Sequence, residues 1–200
     1  MSWKKAIGAI LPALLLMAGI AAAEDTSTEN TGEIGRVEMK ISGPGAVNDT
    51  TIKVGERVSF DFYFSNDTIR RGISVGFKWF SDDIQNIIHV VDSGNGLNDQ
   101  GDVKGLNGWE NKSVFDFTGI IVSADNWEGV LPDTVGLMGI VVKKRWHPQP
   151  LQKQIVFDMI VPEAGTLEVD SAFFPPGGEW MYDNEQKPGW GGPYKFHVVE

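Results

Sequence analysis

The chain has 200 residues, no cysteine, and 27 acidic residues against 17 basic ones, which gives a net charge of −10. This length suits one domain with an apolar core, and the missing cysteine excludes disulfides, thiolate chemistry and a lipidated N-terminus. The negative charge argues against nucleic acid or an anionic membrane surface as a partner, and it is compatible with calcium.

The first 23 residues are typical of a cleaved secretory signal peptide. A pair of lysines precedes an apolar run over residues 7–20, and three alanines end at Ala23, directly before the acidic Glu24. The run is shorter than the roughly 20 residues that a transmembrane helix needs. We therefore expect a mature protein that begins near Glu24, is secreted or held at the cell surface, and has no membrane span. Residues 24–33 are polar, acidic and rich in Thr, and they are predicted to form a flexible leader.

Residues 34–200 are predicted to form one domain of β-strands separated by turns, without a convincing helix. The strongest strand signal covers residues 58–64, where Val58 and three phenylalanines alternate with polar side chains, the period of a half-buried strand. The same alternation recurs at 73–79, 155–161 and 194–198, and weaker strands are expected at 37–41, 87–91, 114–118, 135–142 and 167–173. Many short strands with turns rich in Gly and Pro favour an all-β fold, which we predict to be a single antiparallel β-sandwich of nine to eleven strands.

One motif matches a hydrolase signature in the wrong structural context. Residues 72–76 read Gly-Ile-Ser-Val-Gly, like the G-x-S-x-G motif whose serine occupies a sharp turn between a strand and a helix. Ser74 instead falls inside an alternating strand, so we expect an outward-facing strand serine. The carboxylates offer no glycosidase pair either, because Asp82–Asp83 resemble a turn and both Asp61 and Asp158 are expected on outward strand faces. The sequence therefore predicts no catalytic residue and no enzyme.

One loop is a candidate metal site. The three histidines are isolated and lack the spacing of a zinc site. The glycine-rich stretch 92–102 places Asp92, Asn95, Asp99 and Asp102 close together, and such hard oxygen ligands suit calcium. The order of these residues does not match the EF-hand pattern, and no glutamate follows at the right distance. Two interpretations stay open: a calcium site, with calcium as the single suggested cofactor, or an ordinary solvated loop.

The tryptophans outside the clear strands are the main functional lead. Trp109, Trp127, Trp180 and Trp190 lie in segments rich in Gly, Asn, Asp or Pro. Exposed indole rings stack on sugar faces and also serve as contacts at protein interfaces, so these four are candidate ligand-binding residues. In small β-proteins such rings can instead cap the open ends of the core. Trp79, on an alternating strand, is predicted to belong to the core.

Three segments between about residues 50 and 175 resemble the cohesin-like group of bacterial β-sandwiches. Residues 51–60 resemble the start of that family's first long strand, residues 72–83 its next strand, and residues 165–174 a late segment. The resemblance implies a jelly-roll sandwich of about nine strands, related in shape to some carbohydrate-binding modules, whose best-known members bind dockerins. Residues 173–180, Phe-Phe-Pro-Pro-Gly-Gly-Glu-Trp, look like a hallmark of secreted bacterial relatives, and no activity is implied by it. The chain shows one module and no dockerin or surface-layer repeat, which departs from scaffold proteins.

The sequence thus predicts a non-catalytic, extracellular binding module that recognises a protein partner, such as a dockerin, or a polysaccharide. The alternative is a structural subunit of a cell-surface coat or filament, in which an exposed edge strand would add to a neighbouring sheet. A glycoside-active enzyme is the least favoured reading.

Overall fold

Two β-sheets that pack face to face make up the part of the chain that the structure, a computed structural model, describes. This part comprises residues 34–90, 115–121, 129–143, 145–173 and 178–200. The predicted signal peptide and acidic leader lie outside it. Within these ranges no helix is long and apolar enough to cross a membrane.

The described residues form thirteen strands, which confirms the all-β prediction. The strands are β1 Arg36–Ser42, β2 Ala46–Asn48, β3 Thr51–Lys53, β4 Arg57–Asn66, β5 Gly72–Phe80, β6 Ile88–His89, β7 Phe117–Ile121, β8 Asp133–Ile140, β9 Gln149–Ile160, β10 Gly165–Ser171, β11 Met181–Tyr182, β12 Gly189–Trp190 and β13 Tyr194–Val199. The number exceeds the predicted nine to eleven because β6, β11 and β12 have only two residues each. Strands this short cannot display an alternating pattern in sequence.

The sheets are mostly antiparallel, with two exceptions. One sheet has the order β12-β1-β4-β9-β6, and the other has the order β2-β3-β13-β10-β5-β8-β7, with β11 also pairing with β5. The pairs β1–β12 and β3–β13 are parallel. Both join a strand near the C-terminus to one near the N-terminus, so no tight turn links the partners and no hairpin dictates their direction.

The inward faces of β4 and β5 form the centre of the core. Phe60, Phe62 and Phe64 of β4 are fully buried, as are Phe77 and Trp79 of β5. Phe60 and Trp79 meet edge to face, with 5.9 Å between ring centroids, a favourable geometry for aromatic pairs. The predicted core position of Trp79 is therefore confirmed.

Two carboxylates on the outward face of β4 and β9 are buried, unlike the exposed positions that the alternation predicts. Asp61 accepts a hydrogen bond of 2.7 Å from the Ser42 hydroxyl, and Asp158 accepts hydrogen bonds from Arg57 and from the Ser59 hydroxyl. Both oxygens of Asp158 accept these bonds, whereas Asp61 Oδ1 has the Lys153 ammonium 3.6 Å away and no hydrogen-bond partner among the described residues. Both carboxylates therefore tie adjacent strands together.

Candidate functional site

A loop that leaves the edge of β5 and returns to it forms the candidate site. β8 pairs along one edge of β5, and both β10 and β11 pair along the other. Residues 172–180 connect β10 to β11 along the chain. The two ends of this connection lie close together, because the Ala172 N–H donates to the Gly76 carbonyl oxygen at 2.8 Å and the Glu179 N–H donates to the Ser74 hydroxyl oxygen at 3.0 Å. Hydrogen bonds to β5 therefore hold both described ends of this connection.

The structure assigns a structural role to the Gly-Ile-Ser-Val-Gly motif. A Cβ atom on Gly76 would lie 2.3 Å from the Ala172 carbonyl oxygen, so only glycine leaves room for the loop. Ser74 points away from the core, but it is 1% exposed. The prediction of a solvent-facing serine is thus corrected, since the returning loop covers it. The Ser74 hydroxyl holds the backbone of Glu179 in place.

The described ends of this loop and the turn after β11 line an open groove of about 490 Å³, which is within the usual range of ligand-pocket volumes. Its lining consists of Ser171, Ala172, Phe173, Glu179, Trp180, Met181, Glu185 and Lys187. Phe173 is 73% exposed, more than any other large apolar side chain in the described ranges. An aromatic ring left in water beside a groove is a candidate contact for a partner.

The backbone of the groove is strained at two lining residues. Trp180 has a φ of 58° and Glu185 has a φ of 63°, and no other described residue except glycine has a positive φ. The left-handed conformation costs roughly 1–2 kcal/mol for such residues and clusters at ligand-binding sites. The indole N–H of Trp180 donates to the Pro188 carbonyl oxygen at 3.1 Å, and the Glu185 N–H donates to the Tyr182 carbonyl oxygen at 3.1 Å. These bonds keep both residues in their unusual conformations.

A buried arginine holds the turn that carries Glu185. Arg70 is 1% exposed, and its Nη1 donates to Asn184 Oδ1 at 2.8 Å and to Gln186 Oε1 at 2.7 Å. Its Nη2 donates to Asp67 Oδ1 at 2.8 Å. Because Asn184 and Gln186 flank Glu185 on both sides, Arg70 determines where this wall of the groove stands.

Tyr182 and Asp183 complete the support of this wall. The Arg70 guanidinium lies 4.5 Å from the centroid of the Tyr182 ring, and the Tyr182 hydroxyl donates to the Ser65 carbonyl oxygen at 2.6 Å. Burial raises the pKa of the Tyr182 phenol, although the charge of Arg70 opposes the shift. Burial also raises the pKa of Asp183, and the hydrogen bond that this carboxylate accepts from the Arg71 N–H opposes the shift.

The structure places two of the four candidate tryptophans together. Trp180 lines the groove, and Trp190 stands behind it with the ring planes at 84° and the centroids 5.5 Å apart. The Trp190 indole N–H donates to Asp170 Oδ1 at 2.8 Å, and its ring also meets Tyr194 at 5.2 Å. Both rings are only partly exposed. They therefore extend the core towards the groove and do not form one flat platform.

The remaining sequence candidates have different outcomes. Trp109, Trp127 and the candidate calcium ligands Asp92, Asn95, Asp99 and Asp102 lie outside the described residues. Among the residues that are described, no group of three His, Cys, Asp or Glu side chains could hold a metal ion. The calcium site therefore stays a prediction.

Sequence reasoning missed Arg70, Phe173, Glu185 and Lys187 as site residues. The segment 173–180 was the one signal that pointed to this loop. Charged residues in turns look solvated in sequence, so nothing there distinguishes Arg70 from its neighbour Arg71.

Comparisons with known proteins show likeness in structure alone. No protein-family model matches the chain, and no curated protein matches its sequence at a significant level. A chain from a type II cohesin–X-dockerin complex of Acetivibrio cellulolyticus is similar over 82% of this chain and 99% of its own length, with 10% identity and a TM-score of 0.49. The second type II cohesin module of a cellulosomal adaptor scaffoldin from that bacterium is similar over 84% and 94%, with 11% identity and a TM-score of 0.47. A type II cohesin domain from its cellulosome is similar over 83% and 92%, with 14% identity and a TM-score of 0.46. Likeness at this level assigns no ligand and no binding surface to this chain.

Proposed function

We propose that this chain is a non-catalytic, extracellular binding module that takes a protein partner in the groove lined by residues 171–173, 179–181, 185 and 187. One observation carries the proposal: among the described residues, the two non-glycine residues with left-handed backbone, Trp180 and Glu185, line the same groove as the exposed ring of Phe173. A fold retains such strain where the surrounding structure enforces it, and binding sites are where this is common. The groove is also shaped in advance, since Ser74 and Arg70 fix its two walls, and a shaped site loses less entropy on binding.

The geometry of the aromatic side chains supports a protein partner over a polysaccharide. Sugar recognition by stacking needs a free, flat ring face, and the rings of Trp180 and Trp190 stand edge to face. Their indole N–H groups are already bonded to Pro188 and Asp170. Phe173 in contrast offers apolar surface that a protein partner can bury as a central contact. The sequence resemblance to cohesins makes a dockerin-like module the first partner to test.

The proposal is tested by capture and direct binding with two matched variants. The purified protein is immobilised, secreted proteins of its source are passed over it, and each retained protein is purified and titrated in a calorimeter. We expect Phe173→Asp to abolish binding, because a carboxylate on the rim prevents burial of the contact. The control is Val47→Asp, which places the same charge at another exposed apolar position, 57% accessible, and should leave the affinity unchanged.

Equal affinity of the wild type and Phe173→Asp for every retained protein would contradict the groove as the binding surface. Affinity electrophoresis in soluble polysaccharides tests the other partner class. Retardation of the wild type that Trp180→Ala removes would favour a glycan ligand and count against a protein partner.

A further inference from the structure

We propose that the groove recognises a partner segment in which a lysine or arginine stands next to an apolar side chain. This inference rests on the proposed function and specifies the chemistry of the partner. It is argued from the two carboxylates that line the groove, from the apolar side chains of the same lining and from Lys187, the cation in that lining.

Two carboxylates that line the groove lack side-chain partners in the part of the chain that the structure describes. The side chains of Glu179 and Glu185 make no ion pair or hydrogen bond within the described ranges, although both line the groove. Some other surface carboxylates are paired: Glu38 lies 2.8 Å from Arg36, and Glu168 lies 2.8 Å from Lys195. The groove thus presents acceptors that a cationic side chain of a partner can satisfy by charge-assisted hydrogen bonds.

The apolar lining of the groove suits the hydrocarbon part of a basic side chain. Ala172, Phe173, Trp180 and Met181 supply apolar lining. Lysine and arginine lay their methylene stems on such surface while the charged end reaches a carboxylate, and aromatic rings attract the cation further. Methionine adapts to the shape of an apolar neighbour in the segment.

Lys187 is the one cation that lines the groove, and it forms no ion pair among the described residues. It repels a partner cation at its own position, so the basic residue belongs at the Glu179 and Glu185 positions. The net charge of −10 attracts basic segments from a distance and repels acidic ones, especially at low ionic strength. A neutral apolar segment would gain neither from the groove carboxylates nor from the long-range attraction by the net charge.

The test uses a blocked hexapeptide, acetyl-Ala-Leu-Lys-Leu-Lys-Ala-amide, and the same peptide with norleucine in place of lysine. Norleucine keeps most of the stem and removes the charge. Titration of the purified protein at low ionic strength should give at least about tenfold tighter binding of the lysine peptide, in line with the strength of charge-assisted bonds. We expect Glu179→Gln and Glu185→Gln each to weaken binding of the lysine peptide by about two- to fivefold.

Two further variants test the direction of the charge effect and provide a control outside the groove. Lys187→Gln should tighten binding of the lysine peptide, because it removes a like charge without adding a contact. Asp82→Asn removes an exposed carboxylate outside the groove lining and should change nothing. Unchanged circular dichroism and melting temperature of all four variants exclude unfolding as the cause.

The inference is overturned if neither peptide binds at millimolar concentration, if both bind equally, or if the two Glu→Gln variants bind the lysine peptide like the wild type. These outcomes differ from a failure of the proposed function. A secreted protein that is retained by the wild type and lost with Phe173→Asp would preserve the groove as the binding surface while rejecting this charge chemistry.

Discussion

Replacement of Arg70 by methionine tests the part of the fold that positions the groove. Methionine keeps most of the buried stem and removes the guanidinium, with its three side-chain hydrogen bonds of 2.7–2.8 Å to Asp67, Asn184 and Gln186. Hydrogen bonds to a charged group contribute at least about 1.5 kcal/mol each, or about 4.5 kcal/mol for three. Asn184 and Gln186 are exposed and the Asp67 side chain is 31% exposed, so all three partners can bind water in the variant. We therefore expect the free energy of unfolding to fall by about 3 kcal/mol, near the lower end of the range for a broken buried ion pair.

The loss should also be local, because two of the lost bonds end in the turn that carries Glu185. In the wild type the Tyr182 N–H donates to the Gln186 carbonyl oxygen at 2.8 Å and closes this turn. Amide hydrogen exchange at Tyr182 and Glu185 should accelerate in Arg70→Met more than exchange in β4, which lies in the centre of the core. Urea denaturation measures the global loss, and exchange followed by NMR measures the local one.

The matched control is Arg71→Met, since Arg71 is the next residue and its side chain is exposed. Exposed substitutions of this kind change stability by less than about 0.5 kcal/mol. A loss below about 1 kcal/mol in Arg70→Met, or equal exchange rates at the turn in both variants, would refute the reasoning that Arg70 fixes this wall.

Three further predictions concern other parts of the structure. Gly76→Ala should lower the free energy of unfolding by more than about 2 kcal/mol, because the new Cβ would lie 2.3 Å from the Ala172 carbonyl oxygen. The control is Gly189→Ala, which should cost far less because the atoms nearest to its new Cβ are 3.7 Å away. Urea denaturation compares the two variants. His89→Ala should cost about 2 kcal/mol, because it removes a hydrogen bond to a carboxylate, Asp133, that is 0% exposed and whose Oδ2 lies 2.8 Å from the His89 ring nitrogen. Adding Asp133→Asn should recover part of the loss, and no recovery in the double variant would contradict this account. The raised pKa of Asp183 means that the folded state holds this proton more tightly than the unfolded state. The free energy of unfolding should therefore fall as pH rises through the range just above the ordinary aspartate pKa of 3.8. Asp183→Asn should flatten that fall in melting curves measured against pH.

The strands that carry alternating side chains could be predicted because each long strand buries one face. In β4 the period of two in Val58 to Phe64 is a direct consequence of that burial, and the structure places those side chains in the core. The same logic could not predict β11 or β12. A strand of two residues is too short to show alternation. These two strands form because parts of the edges of β5 and β1 are available for pairing with them.

Only part of the site could be predicted from the sequence, because the contacts that build it join residues far apart in the chain. Ser74 reads as an outward strand position, which is correct for its direction and wrong for its exposure, because the backbone of Glu179, 105 residues further along the chain, returns to cover it. Arg70 reads as a solvated turn residue, and its burial depends on Asn184 and Gln186 more than 110 residues away. Contacts at such separations leave no local pattern.

The amino-acid sequence was enough to determine that this is a cysteine-free, acidic chain, and that segments in which apolar and polar side chains alternate form strands that bury one face. Composition depends on single residues and alternation on near neighbours, so both can be recognised without the fold. Tertiary structure alone decided which strands pair, that two of the pairs are parallel, and that Phe173, Glu179 and Glu185 share one groove. The physical reason is that the groove arises where β10 and β11 pair with β5, a strand that lies about 100 residues earlier in the chain.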